Sequence, residues 1–450
     1  MGQHLIIGRM GCEDRDSFLD DPNVQTTNFN LVLKDNVLAY GLREALLGLK
    51  RLDLYPSEIG LDLLILAAHV YLADTRISRN QESQDSWTRE LQLLVPVSNT
   101  DLWNSAKPLI KELLDFLTGD LWTINFRARP KRFSFIIEKP EIRLDDTPIT
   151  FDSLSLFSGG LDSLIGAVDL LERDYNTVFI SHATDSDSSN AQYLLYEKLR
   201  GYYTKANFSW LRLGKMGFSK GIVKNVRSES STRSRSFLFF ALGVFVGTAL
   251  KNDFVLRVPE NGFIALNVPL NILRLGANST RTTHPFYINN WNKLLESLEI
   301  HGIIENPYWD KTKGEMIKEC ANLEFIKELI PISMSCSSPS KSRWLKRKHE
   351  HCGYCVPCLI RRAAIVATLG PEYDSTLDYT VLDLTDLSNR KKPGEQVRSF
   401  MFAIERLRKN PAIAPILIHK SGSLASEYSR LNQLTDVYRR GLEEVANLIH

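Results

Sequence analysis

Between Leu154 and Leu171 the chain reads LSLFSGGLDSLIGAVDLL. Two adjacent glycines weaken a helix or strand that contains them, so Gly159 and Gly160 mark a junction. A short apolar run precedes them. Behind them Leu161, Leu164, Ile165, Val168 and Leu171 recur at helical spacing. The spacing predicts a strand, a glycine turn and a helix in direct succession. The rhythm continues through TVFIS, the helix NAQYLLYEKLRGYYTK, SWLRL, an apolar helix from Phe237, and DFVLRV. Short strands alternating with helices imply a helix-covered parallel sheet. Right-handed crossovers make it a doubly wound α/β domain.

A glycine turn at a helix start is also suited to anions, because free amides and the helix dipole favour negative charge there. Ser158 and Ser163 add hydroxyl donors. Asp162 would repel a bare phosphate, so its presence implies Mg²⁺ bridging it to phosphate oxygens. The stretch lacks the Gly-Lys-Ser/Thr of a Walker A loop and is not G-x-G-x-x-G. The bland alternative is an ordinary glycine turn, against which the Ser-Gly-Gly-x-Asp-Ser pattern argues.

The second signal is HEHCGYCVPCLIRR. Cys352, Cys355 and Cys358 form a C-x2-C-x2-C run, with Cys336 fifteen intervening residues upstream. The start MGQHLIIGRMGCEDRD has no basic region followed by a long apolar core, so the expectation is a cytoplasmic protein with reduced thiols. Four thiolates make a closed tetrahedral Zn²⁺ site with no open position, which is a structural role. An iron–sulfur cluster and unrelated thiols are the alternatives. His349, His351 and Cys320 compete with Cys336 as fourth ligand, and Cys12 stands apart.

SGGLDS with a downstream SC…CGYCVPC cluster resembles the QueC-like 7-cyano-7-deazaguanine synthases, within the PP-loop ATP pyrophosphatases. The resemblance spans roughly residues 152–370. It implies a PP-loop, HUP-like fold in which Ser158, Gly159, Gly160, Asp162 and Ser163 hold the pyrophosphate part of ATP with Mg²⁺. It implies cleavage of ATP to AMP and pyrophosphate, with Asp162 and Lys313 serving the reaction; Arg233 and Arg235, read from their own segment below, are the further catalytic candidates. Lys313 lies in TKGEMI, which looks like the family's TKxE stretch. It also implies a 7-carboxy-7-deazaguanine substrate whose carboxylate is adenylated and attacked by ammonia. The chain is about twice the usual length for the housekeeping enzyme. PENGFIALNVPLNILRLGANSTRTTHP and the N-terminal extension are instead similar to QueC-like proteins of bacterial anti-phage systems, the QatC type. Carboxylate activation is therefore the firmer expectation, with ammonia or an amine on a partner protein from the same defence operon as acceptor.

Around this core, residues 1–150 read as a mixed α+β domain. SEIGLDLLILAAHVYLADTR is a helix with Ser57 as N-cap. LQLLVPV is a strand that Pro96 puts near an edge. AKPLIKELLDFLTGD is a helix, and LWTINFRA and RFSFIIEK are strands. Residues 151–370 form the doubly wound domain with its cysteine site, and residues 371–450 a helical region. STRSRS offers Arg233 and Arg235 to phosphate or carboxylate. Glu260 and Asn261 fall just past a strand end, where doubly wound sheets bind ligands. Arg281, Thr282 and His284 form a polar cluster near the same rim, with His284 a candidate general acid/base.

Formal net charge is +2, so no overall excess points to nucleic acid. KSRWLKRKHEHCGYCVPCLIRR nevertheless carries seven Lys/Arg against one acid, with Trp344 and Tyr354 available for stacking. A tRNA-modifying enzyme and a non-catalytic nucleotide-binding scaffold are the competing functions. The longest apolar run, Phe237 to Leu250, is too short to span a bilayer comfortably, and no membrane partner is expected.

Overall fold

The computed structural model describes residues 3–11, 13–14, 23–33, 37–83, 85–137, 150–182, 185–214, 216–250, 252–271, 281–337, 351–374 and 392–449. The first unit comprises β1 (Gln3–Arg9), β2 (Val24–Asn30), α1 (Leu42–Lys50), α2 (Glu58–Arg76), the short α3 (Arg79–Glu82), β3 (Glu90–Val97), α4 (Thr100–Thr118) and β4 (Leu121–Ala128). Its four strands run β2-β1-β3-β4 and every pairing is parallel. The α+β expectation for residues 1–150 is therefore corrected to α/β. Parallel neighbours need long crossovers, and α1 and α2 supply one, α4 another.

Two strand expectations fail with it. The strand containing Pro96 is interior, between β1 and β4. Its ladder with β1 stops at Leu94, so the missing N–H costs nothing there. Gly8 makes room for the ring, since a Cβ on it would stand 2.5 Å from Pro96 Cδ. RFSFIIEK is no strand over its described part: Lys131–Phe133 form a 3-10 turn. The Ile136 and Ile137 amides donate to Glu58 Oε1 at 2.6 and 2.7 Å instead of to a neighbouring strand. The stretch RLDDTPITFD, whose polar, proline-containing composition predicts the link between the two units, lies largely outside the described residues.

The second sheet is built from β5 (Ser153–Leu156), β6 (Thr177–His182), β7 (Phe208–Leu213), β8 (Phe254–Arg257) and β9 (Gly302–Glu305). Its order is β7-β6-β5-β8-β9, again parallel throughout. Every residue of β5 and β6 is buried, as expected with both faces covered. The intervening helices are α5 (Leu161–Leu171), α6 (Ser186–Tyr202), α7 (Arg235–Gly247), α8 (Gly262–Leu266) and α9 (Pro285–Ser297). This is the doubly wound arrangement, with its topological switch at β5 and β8.

α10 (Lys313–Lys318), α11 (Leu323–Leu329) and α12 (Val356–Leu369) follow, then α13 (Lys392–Lys409), α14 (Ala414–Leu417) and α15 (Leu431–Ile449). The described residues beyond 370 are helical or irregular, with no strand.

The two sheets share one hydrophobic core. α2 is apolar on nearly all sides and buried from Gly60 to Thr75, which marks a helix enclosed by protein. It lies against β3 on one side and α7 on the other. Gly60 permits the close approach, because a Cβ there would meet Thr248 Oγ1 at 2.3 Å. Among the described residues no helix is long and apolar enough to cross a membrane.

Candidate active site at the Ser158 to Ser163 loop

The loop leaves β5 beside the end of β6, where Phe157 N donates to Ile180 O at 2.7 Å. Gly159 turns with φ +84°, and a Cβ there would crowd Gln192 and Ser188 O at 3.1 to 3.3 Å. Position and conformation both call for glycine. Gly160 opens α5 without a side-chain cap, so the first amides of the helix face the loop. Ser158 Oγ and Ser163 Oγ are 3.1 Å apart, and Ser163 Oγ donates to Gly160 O at 3.0 Å. Ser335, the serine of the SC pair that precedes the cysteine run, accepts from Leu161 N at 3.2 Å, a role its sequence position did not indicate.

At the lip of the loop four predicted residues converge. Asp162 is buried, 5% exposed. Its Oδ1 pairs with Lys313 Nζ, and its Oδ2 accepts from Asn261 N at 3.1 Å and Nδ2 at 2.8 Å. Asn261 also caps α8 through Oδ1, which accepts from Ile264 N at 3.0 Å, and donates to Glu260 Oε1 at 3.3 Å. Asn306 holds the Glu260 backbone from β9's end, accepting from its N at 3.3 Å and donating to its O at 2.7 Å. Lys313 begins α10, which the Thr312–Glu315 capping box fixes.

Burial raises the Asp162 carboxyl, but the Lys313 charge and hydrogen bonds from Glu260, Lys313 and Asn261 outweigh it and hold it at about 2. Burial and the Asp162 charge drive Glu260 the other way, well above the ordinary range. One carboxylate and one carboxylic acid thus sit side by side, with Lys313 on the ionised member. Asp162 retains lone pairs for a further ligand, yet it reaches one only beside its lysine.

Arg235 begins α7 and faces Tyr71 and Asp185; burial lowers its pKa by more than these two groups raise it. Next to it, at the end of β6, His182 is 1% exposed and neither ring nitrogen has a hydrogen-bond partner among the described residues. Burial and then Arg235 push it down to about 3, so it is neutral. Gln192 donates to Ser158 O at 3.2 Å, and its Oε1 has no partner among the described residues. Sequence reasoning missed His182 and Gln192. The usable signal was position: the strand next to the loop-bearing one ends at His182, at the same rim.

Other predicted residues have different tasks. Arg233 donates to Thr118 O at 2.6 Å and lies 3.9 Å over the Trp87 ring, bound to the first unit. Arg281 donates to Phe116 O at 2.8 Å. His284 caps α9, its Nδ1 accepting from Phe286 N at 3.2 Å. Burial, then Arg281 and His419, lower it to about 3, which does not suit a general acid/base at neutral pH. Thr282 is a partly buried turn residue between them. No hydrogen bond among the described residues joins these four to Asp162 or Lys313. A cleft of about 330 Å³ opens at the start of α8, lined among others by Gly262, Thr283, Asn306, Trp309, Glu427 and Arg430.

The cysteines do converge. The Sγ atoms of Cys336, Cys352, Cys355 and Cys358 all lie within 4.8 Å of one another, with Cys352 and Cys358 at 3.9 Å. A tetrahedral ion with Zn–S bonds of about 2.3 Å needs sulfurs about 3.8 Å apart. The set therefore fits one ion compatible with zinc, rather than a cluster spreading its cysteines over several irons. Cys336 is the fourth ligand candidate the geometry selects. His351 Nε2 instead accepts from Ser335 N at 3.1 Å, and Cys320 packs by Asp169. His349, Cys12 and Trp344 lie outside the described residues.

No protein-family model matches the chain, and neither does any curated protein.

Proposed function

We propose that this chain is a QueC-like, ATP-dependent C–N ligase of bacterial anti-phage defence, with a PP-loop fold. It adenylates a 7-carboxy-7-deazaguanine-type carboxylate and passes the acyl group to ammonia or to an amine of a partner protein. The observation that carries the reading is the meeting of the Ser158–Ser163 loop with the buried Asp162–Lys313–Glu260–Asn261 group.

The loop amides and the Ser158 and Ser163 hydroxyls would hold the β and γ phosphates. Mg²⁺, where bound by Asp162, would supply charge neutralisation for the leaving pyrophosphate. A carboxylate is a poor electrophile. Its oxygen attacks the α phosphorus, the α–β bond breaks, and pyrophosphate leaves. Lys313 and Arg235 offset the charge that develops on phosphate oxygens. The amine then attacks the acyl carbon, AMP departs with the former carboxylate oxygen, and one proton is released as the amide forms. Glu260, held as an acid with Asn261 fixing it to Asp162, would face the edge of a purine-like ring, and the cleft that begins at Gly262 has the volume for one. The cysteine site, closed by four ligands, supports folding rather than chemistry.

The test is incubation of the purified chain with Mg²⁺-ATP, 7-carboxy-7-deazaguanine and ammonium. AMP and pyrophosphate should form in equal amounts, dependent on the deazapurine, with mass spectrometry finding the amide. ADP and phosphate as products, or turnover only with tRNA, would end the proposal.

A further inference from the structure

We propose that Ser335 is an additional donor to the anion held by the loop, and that the ion in the cysteine cluster positions it through His351. Loop occupancy and metal retention are then linked. The inference rests on the nucleotide reading of the loop and adds to it a residue and a coupling.

The segment Ser333–Cys336 runs as a strap across the loop. Met334 N donates to Gly159 O at 2.8 Å, and Ser335 Oγ accepts from Leu161 N at 3.2 Å. That amide is among those a helix start would offer an anion. Ser335 accepts through its oxygen, and its hydroxyl hydrogen has no acceptor among the described residues. A Cβ on Gly160 would stand 3.5 Å from Ser335 Oγ, so the hydroxyl sits against the anion turn itself. A bound phosphate oxygen gives this O–H its acceptor.

Both ends of the strap's support are cysteine neighbours. Cys336 follows Ser335 directly, and His351, whose Nε2 takes the Ser335 amide at 3.1 Å, precedes Cys352 directly. Arg361, fully buried on α12 past Cys358, donates to Ser333 Oγ at 2.8 Å and to Ile330 O at 2.6 Å. An ion drawing Cys336 and Cys352 together thus sets the spacing between His351 and Ser335. Coupling of this kind is reciprocal.

The experiment uses the full chain loaded with zinc, with α,β-methylene-ATP and excess Mg²⁺ as a probe that cannot be cleaved between the α and β phosphates. Calorimetry compares wild type, Ser335→Ala and Ser335→Thr. Loss of one hydrogen bond to a charged group should weaken binding about tenfold or more in Ser335→Ala, while Ser335→Thr, which keeps the hydroxyl, stays within about threefold. Zinc affinity, from competition with a chromogenic chelator, should rise with the nucleotide in wild type and not in Ser335→Ala. Equal binding by Ser335→Ala and wild type, equal losses in both variants, or zinc affinity indifferent to nucleotide would overturn the strap and leave the loop reading standing. A wild type that binds no nucleotide would overturn both.

Discussion

Asp162 and Lys313 are the residues on which the site's electrostatics turn. They are buried together, so removing one charge strands the other. Lys313→Met should destabilise the fold by about 3–5 kcal/mol, read from urea denaturation. Asp162→Asn combined with Lys313→Met should cost less than the two single changes added together. Glu260 carries a pH signature. Its folded pKa lies above the ordinary 4.5, so above that value the folded state holds a proton the unfolded chain has lost. By linkage its contribution to stability falls as pH rises from 4.5 toward the folded pKa. Asp162, held at about 2 against an ordinary 3.8, contributes the opposite slope, lost only as pH falls through its low folded value. Glu260→Gln should therefore flatten the decline above pH 4.5, with its advantage over wild type growing as pH rises. Parallel denaturation curves across pH would contradict this. Ser-Gly-Gly-x-Asp-Ser was legible because it is local. The partners that tune Asp162 come from positions 261 and 313, and only folding brings them there.

The extra C-terminal helix has a definite mechanical task. α15 lies along α8 and near the start of α10. Gly441 admits Phe263, since a Cβ there would approach its ring carbon to 2.3 Å. Glu444 accepts from Thr312 Oγ1 and, at 3.4 Å, from Gly314 N. Arg440 donates to Glu315 Oε1 at 2.7 Å and to Asp310 O at 2.7 Å. α15 thus grips the turn that presents Lys313 and the helix that Asn261 caps. Glu444→Ala should cost about 1–3 kcal/mol, the penalty for leaving buried donors unpaired. It should also raise amide exchange over residues 312–318, whereas a helix serving only as cover would leave that turn unchanged. The apolar periodicity of α15 was plain in the sequence; which turn it would grip was not, because Thr312 and Glu444 are distant in the chain.

Across the whole molecule, the first unit acts as a template for the long segment between β7 and α7. Arg79 N donates to Glu229 Oε2 at 2.8 Å, Gln81 Nε2 to Asn225 O at 2.9 Å, and Ser234 N to Asp74 Oδ2 at 2.8 Å. Behind these contacts Asp74 and Asp120 share Arg79 and Arg89 in a buried network. Ser234 directly precedes Arg235, so the network fixes where α7 and its arginine begin. Asp120→Asn should destabilise the chain by about 3–5 kcal/mol, because two buried guanidinium groups lose charge compensation; calorimetric melting would measure it. A chain lacking residues 1–150 should not fold alone, since α7 would lose the face that α2 covers. Sharp, dispersed NMR spectra from such a fragment would refute that.

The sequence by itself determined what depends on neighbours along the chain. Glycine tolerance placed the turn, apolar period placed the helices around it, and two-residue gaps brought Cys352, Cys355 and Cys358 within reach of one ion. Tertiary structure decided which strand lay inside a sheet, that the first unit was parallel, that Arg233 turned to Trp87, and that Cys336 rather than His351 completed the thiol set. Those outcomes depend on contacts between residues far apart in the chain, where burial and charge pairing select among partners that local propensity leaves equivalent.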